Sequence, residues 1–349
     1  MIEAPRRFCF VVPALDGPIS GGTLYNRELC AALVACSCEV AVCSLSDPRL
    51  EARLAAADHS FVDTLYLAAF PELARLARKA QRPLALLTHY LPTLVAAGRV
   101  VTRVELSEQE ARALGAAHSF LVTSPFMREA LEPLVAPQQN ILVVEPGSRA
   151  HLTEWTERSS SSLRALAIAN LLPGKGIAPL LDALGSALRS DDRFQLSIVG
   201  RLDADPVYAE ACARSIALSP ELASRVTLRG ALEPEATQAA LTQTDLFVSA
   251  STMESYGMAL AEARVSGVPI VACAGGHAAA HVDAVAGGQL VASPRELAAA
   301  CLQLARDPDA FAERRERARR HAPPARSWSH AARALLAQLS PRKIAGTRE

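Results

Sequence analysis

Short apolar runs alternate with helical patterns along almost the whole chain, in two series separated by one polar interruption. The first series places strands at Phe8–Val12, Glu39–Ser44, Ser60–Leu65, Leu84–Thr88, Ser119–Ser124 and Ile141–Glu145, with a helix over about Thr23–Ala35 after the first. The second places them at Leu163–Ala169, Phe194–Gly200, Val226–Gly230, Asp245–Thr252, Ile270–Ala272 and, more weakly, around Gln289–Val291. Uninterrupted apolar runs between helices predict parallel strands covered on both faces. Between the series, His151–Ser162 holds a serine run and reads as a linker. The expected fold class is therefore α/β, two doubly wound Rossmann-like domains with a cleft between them: 1–155, 156–325, and a C-terminal helix at 326–341. Pro341–Glu349 is expected to be disordered.

A chain of 349 residues, half of them hydrophobic, can build two such cores. Its formal net charge of zero argues against a general nucleic-acid binder. Eight scattered cysteines, with no CxxC pair, read as small core residues of a reducing compartment rather than as a disulfide frame or zinc site. The apolar run near the N-terminus is short and leads into a glycine loop, so a first strand is expected there rather than a signal peptide. No stretch approaches the ~20 apolar residues of a membrane span. A soluble, cytoplasmic protein is expected, with peripheral membrane contact and either a monomer or a homodimer left open.

The segment Glu254-Ser-Tyr-Gly-Met-Ala-Leu-Ala-Glu262 follows a strand and opens a helix at its glycine. Free amides at such a helix mouth suit an anion. From Gly257 to Glu262 the helix rises about 7.5 Å at ~1.5 Å per residue, roughly the reach from a diphosphate to a ribose. Two glutamates eight apart are usually solvated charges on an outer face. Here the flanking Ala259-Leu-Ala and Ala263 are small and apolar, and a buried strand follows, which favours a ligand-facing role.

The segment resembles the E-x7-E signature of retaining glycosyltransferases of the GT-B fold, glycosyltransferase family 4 in particular, and Gly267-Val-Pro-Ile-Val with Gly275-Gly276 continues the pattern. The resemblance implies that Glu254 binds the transferred sugar, that Glu262 anchors ribose, and that the amides of Ser255, Tyr256, Gly257, Met258 and Ala259 face the phosphates. It also implies a last helix that crosses back to the first domain.

Four further stretches lie at strand ends. Gly21-Gly22 precedes a helix and lets backbone approach a ligand; alone it would be an ordinary loop, and the resemblance assigns it donor phosphates, with Tyr25 and Asn26 as acceptor contacts. His89 follows a strand's carboxyl end, where ligands of α/β sheets gather; it is expected to contact sugar or acceptor, with Asp63 a weaker candidate. Thr123-Ser124 and Arg128 begin a helix and are also explained as caps. Asn170-Leu-Leu-Pro-Gly-Lys175-Gly176 offers a lysine beside exposed amides, which suits a diphosphate. The family often carries arginine where Asn170 stands, and Arg201 is a candidate substitute. The resemblance assigns the nucleotide base to backbone around Ala231 and Leu232, which leaves UDP or GDP open, with a lean to UDP.

The expected reaction is transfer of a hexosyl unit from a nucleotide-diphosphate sugar, as co-substrate, to a small-molecule, glycan or lipid acceptor. Lys175, Arg201 and the helix amides would stabilise the departing diphosphate, with Glu254, His89 and Lys175 the catalytic candidates and domain closure excluding water. No cofactor or metal is expected. Asp203-Ala-Asp205, an acidic pair of DxD type, reads as a solvated turn. The alternatives are a nucleotide-sugar-binding protein of impaired activity, prompted by Asn170, and another chemistry on the same fold, such as epimerisation, phosphorolysis or transfer to a non-alcohol nucleophile. A nicotinamide oxidoreductase is a remote fourth, since the first turn lacks GxGxxG. Arg75, Arg78, Lys79 and Arg82 read as a solvated helix face rather than a lipid-binding patch.

Overall fold

A computed structural model describes residues 5–152 and 162–340. Most of the expected serine linker, the expected boundary between 155 and 156, and the tail from 341 lie outside the described residues. By their internal contacts the residues form two units. One lies within Met1–Leu91, Val101–Gly147 and Arg326–Glu349, the other within Pro92–Val100 and Ser148–Ala325. Two features depart from the expected bounds: Ser148 already belongs to the second unit, and so do residues 92–100. The latter segment packs there, with a Cβ on Gly98 placed 3.8 Å from the Thr252 Cβ and one on Gly174 placed 3.5 Å from the Val95 Cγ1.

In the first unit, β1 (Arg7–Val11), β2 (Glu39–Cys43), β3 (His59–Asp63), β4 (Leu84–Thr88), β5 (Ser119–Val122) and β6 (Asn140–Val143) form a parallel sheet in the order β2-β1-β3-β4-β5-β6. Its topological switch point, where crossovers diverge to opposite sides, falls between β1 and β3. Phe8, Phe10 and Phe61 fill one face, and the phenyl rings of Phe10 and Phe61 stack at 5.1 Å. The helix Trp328–Leu339 belongs to this same core through Ala331, Ala332 and Leu335, packed with Leu29 and Leu33 of the helix Gly21–Ala35.

Two local corrections have clear causes. The helix begins at Gly21 rather than Thr23, because Ser20 caps it: Ser20 Oγ accepts from the Thr23 amide at 3.1 Å and Thr23 Oγ1 accepts from the Ser20 amide at 2.8 Å. The glycine pair is thus the helix's first turn. The third strand ends at Asp63, not Leu65, because Asp63 Oδ1 takes the Leu65 amide at 2.8 Å and starts a 3-10 turn, Thr64–Tyr66. Ser124 accepts from the Met127 amide and so caps Pro125–Leu131.

In the second unit, β7 (Leu163–Ile168), β8 (Phe194–Val199), β9 (Val226–Gly230), β10 (Leu246–Ser249), β11 (Ile270–Cys273) and β12 (Gln289–Val291) form a parallel sheet ordered β12-β11-β10-β7-β8-β9. Here the switch point lies between β7 and β10. Leucines of the helix Ile177–Ala187 and of the helix Pro294–Arg306 share one core face with β7 and β8. The opposite face packs Leu260 and Ala263 from the helix Met258–Val265. The eight cysteines are free.

Candidate functional site

The loops that leave β7 and β10 flank the switch point of the second sheet, the place where open α/β sheets leave a crevice. After β7 the chain turns through Pro173–Lys175 into Gly176, which has a left-handed φ of 65°. A side chain there would be strained, and a Cβ would lie 2.1 Å from the Ala250 carbonyl oxygen. This close approach brings Lys175 against the β10 loop. The two loops are also tied directly, since the Thr252 amide and hydroxyl both donate to the Gly174 carbonyl, at 3.0 and 3.1 Å.

At that junction Lys175 Nζ lies 2.7 Å from Glu254 Oε1. The pair is partly exposed, at 31% and 15% of its side-chain surface, so both charges remain open to a ligand. Gly257, in a left-handed conformation with φ 87°, is the N-cap of the helix Met258–Val265, whose first-turn amides have no partner within the helix. Glu262 lies on that helix, half-buried. Burial pushes its carboxyl up to about 7.

Behind the Glu254 loop stands a layer that sequence reasoning missed. The Glu254 carbonyl accepts from the His277 amide at 2.7 Å, and Glu254 forms a bridge with Gly276. Gly276 has a φ of 58°, and a Cβ there would meet the Glu254 oxygen at 2.3 Å. His281 Nε2 lies 2.7 Å from the Tyr256 carbonyl, which can only accept, so this nitrogen carries the proton. Burial lowers His281 to about 4, so its ring is neutral. The Tyr256 ring stacks on His277 at 5.6 Å and meets His281 edge-on at 4.8 Å. No local signal marks His281, which acts across 25 residues of sequence; two histidines near Gly275-Gly276 were the available hint.

Asn170 and Arg201 carry other work than a leaving-group cation would. Asn170 Oδ1 accepts from the Arg201 amide at 3.0 Å, which extends the β7–β8 pairing past the strand ends. The Arg201 guanidinium forks onto Asp203 at 3.0 and 3.1 Å. Asp205 accepts from the Tyr208 amide and caps the next helix. The acidic pair thus has structural duties. At the end of β9, Gly230 has φ 70°; beyond it Ala231 is exposed, and the Leu232 carbonyl accepts from Thr237 Oγ1 at 3.4 Å.

In the first unit, a second cluster gathers at the ends of β3 and β4. Asn26 Nδ2 donates to Asp63 Oδ2 at 2.8 Å, and Asn26 Oδ1 lies 2.9 Å from His89 Nε2. His89 Nε2 is also 3.4 Å from Asp63 Oδ2. Gly22 leaves room for this imidazole, since a Cβ there would sit 3.3 Å from His89 Cδ2. Gly21 is exposed at the helix start. The expectation that Tyr25 and Asn26 touch an acceptor is corrected. Asn26 is wholly buried, and the Tyr25 hydroxyl donates to the Val144 carbonyl at 2.9 Å while its ring packs edge-on against His89 and Trp328. Their polar atoms are spent inside the unit.

Within the second unit, residues 162–307 match the family model described as glycosyl transferases group 1. Over these residues the chain is similar to the group 1 glycosyltransferases. A 101-residue stretch is 32% identical to phosphatidyl-myo-inositol mannosyltransferase of Mycobacterium leprae, covering 29% of this chain and 25% of that protein, so the match spans about a quarter of the relative's length. Whole-chain similarity appears at the level of fold, which is that of the GT-B glycosyltransferases. Anabaena Alr3699/HepE, solved in complex with UDP-glucose, superposes with a TM-score of 0.75 at 18% identity over 95% of this chain and 99% of that one. Sucrose-phosphate synthase from Thermosynechococcus elongatus gives 0.71 at 18% identity, over 96% and 98%. Among the described residues no helix is long and apolar enough to cross a membrane.

Proposed function

We propose that this glycosyltransferase moves a hexosyl unit from a nucleotide-diphosphate sugar to an acceptor, with retention at the anomeric carbon. The observation that carries the reading is the Lys175–Glu254 pair at 2.7 Å, placed at the switch point of the group 1 domain beside a glycine-capped helix mouth. The ammonium and the helix amides are complementary to a diphosphate. Glu254, once released from Lys175 by that diphosphate, is complementary to sugar hydroxyls, and Glu262 to the ribose diol. Departure of the nucleoside diphosphate is the demanding step, and preformed donors aimed at its oxygens lower that barrier. The assignment invokes neither a protein nucleophile nor a metal; Asp203 accepts from Arg201 and Asp205 from the Tyr208 amide. His89, in the first unit, is assigned to the sugar or the acceptor.

The nucleotide-sugar class draws support from the UDP-glucose complex of the Anabaena protein, and a mannosyl donor from the Mycobacterium leprae relative; UDP and GDP donors are both compatible with backbone recognition near Ala231 and Leu232. The deciding experiment incubates the full chain with a panel of UDP- and GDP-hexoses and a mixture of alcohol acceptors, with products followed by mass and anomeric configuration. Donor-dependent formation of an axial or equatorial linkage matching the donor's own is expected. Tight donor binding without turnover on any acceptor would instead favour a binding protein of impaired activity.

A further inference from the structure

Asp63 is 1% exposed and Asn26 fully buried, yet both are polar and both lie at one sheet edge, the carboxyl end of β3 and the helix after β1. A buried carboxylate is costly unless paired and hydrogen-bonded. Asp63 is supplied on both oxygens: Oδ1 accepts from the Leu65 amide and Oδ2 from Asn26 Nδ2, each at 2.8 Å. Burial pushes its carboxyl up, but the His89 ring and these donors outweigh that and hold it below the usual carboxylate range.

This arrangement dictates protons. A carboxylate only accepts, so the Asn26 amide must turn its NH2 to Asp63 and its oxygen to His89. That oxygen also only accepts, so the facing His89 Nε2 must donate. Tyr25 contacts the ring edge-on, and Tyr66 and Tyr90 lie near Asp63; burial raises all three phenols, so they stay neutral and Asp63 is the charge facing the ring. We propose that Asp63 and Asn26 are positioning residues that hold His89 as its Nε2–H tautomer, which makes Nδ1 the ring's hydrogen-bond acceptor toward a sugar or acceptor hydroxyl. The last clause rests on the transferase reading above; the tautomer does not.

The Asp63→Asn substitution tests this sharply. The Leu65 amide holds the side-chain oxygen, so the new NH2 faces Asn26, whose amide must flip. His89 Nε2 then meets an NH2 group, and its proton moves to Nδ1. Histidine-15N NMR of the ligand-free full chain, in mildly alkaline buffer and assigned with His89→Gln, is expected to show His89 protonated on Nε2 in the parent. In Asp63→Asn the tautomer reverses, whereas in Asn26→Leu the Asp63 carboxylate, 3.4 Å from Nε2, keeps the proton on Nε2. A parent proton on Nδ1, or a spectrum unchanged in Asp63→Asn, overturns the proposal. In transfer assays Asp63→Asn should lower kcat/KM by about tenfold or more, comparable with the loss when an outer partner orienting a metal-bound histidine is removed. An unchanged tautomer with lost activity would make Asp63 a merely structural residue and overturn the proposal too. If the parent transfers nothing to any acceptor, the transferase reading fails while the spectra still decide the tautomer.

Discussion

Glu262 has a carboxyl raised from 4.5 to about 7 by burial, which predicts a conflict between stability and binding. The folded chain holds this proton more tightly than the unfolded one between those two values, so stability is lost as pH rises through them. Above pH 7, Glu262→Gln should therefore be more stable than the parent by roughly 1–3 kcal/mol in denaturant unfolding, the partial exposure trimming the full linkage value. A ribose diol is best accepted by the ionised form, so donor affinity should rise with pH through about 7 in the parent and stay flat in Glu262→Gln. Calorimetric titration over that range decides this; equal profiles would remove Glu262 from the ribose. His281 has the opposite sign. Its folded value lies near 4 against an ordinary 6.5, so the unfolded chain takes the proton first and stability falls as pH drops from about 6.5 toward 4. The full effect is about 3 kcal/mol at 1.36 kcal/mol per pK unit, and it should vanish in His281→Gln. Lys175→Ala should lower kcat by about 100-fold, the loss expected for a donor aimed at developing charge, with the melting temperature nearly kept because its ion pair is partly exposed. A near-normal rate would place the diphosphate elsewhere.

The elements that hold these side chains differ in how far they were readable in advance. Strands β1, β4, β8 and β10 follow directly from apolar runs, because a strand covered on both faces can afford few polar positions. Lys175 and Glu254 were legible as strand-end residues, but their contact was not, since it is made by turns. Gly176 is the clearest case: its left-handed φ and its approach to Ala250 exist only once β7 and β10 are neighbours. Gly176→Ala should cost roughly 3 kcal/mol or more from strain and collision together, measured as a shift in the unfolding midpoint, and should depress turnover by displacing Lys175. Arg201 and Asn170 show the reverse limit. Both were named from strand position, but a side-chain amide that continues a backbone ladder and a guanidinium that forks onto Asp203 are decided by local geometry rather than residue type.

At the scale of the whole molecule, the helix Trp328–Leu339 joins the first unit although the second unit precedes it in the chain. Its Ala331, Ala332 and Leu335 are buried, and Gln338 exchanges hydrogen bonds with the Val143 backbone at 3.1 and 2.9 Å. Leu335→Ala should destabilise the first unit by about 2–5 kcal/mol. A chain ended after Ala325 should lose the first unit's cooperative melting while the second unit's transition persists; one unaltered transition for both would contradict this. The sequence alone determined the two doubly wound sheets, the strand ends at which chemistry gathers, and the Glu254–Glu262 segment, because these depend on hydrophobic periodicity and short-range spacing. Tertiary structure alone decided that Lys175 meets Glu254, that His281 braces Tyr256, and that Asn26 bridges Asp63 and His89. Those contacts join residues 25 to 79 positions apart, and burial and hydrogen-bond direction at such distances are set only when strand order brings the ends together.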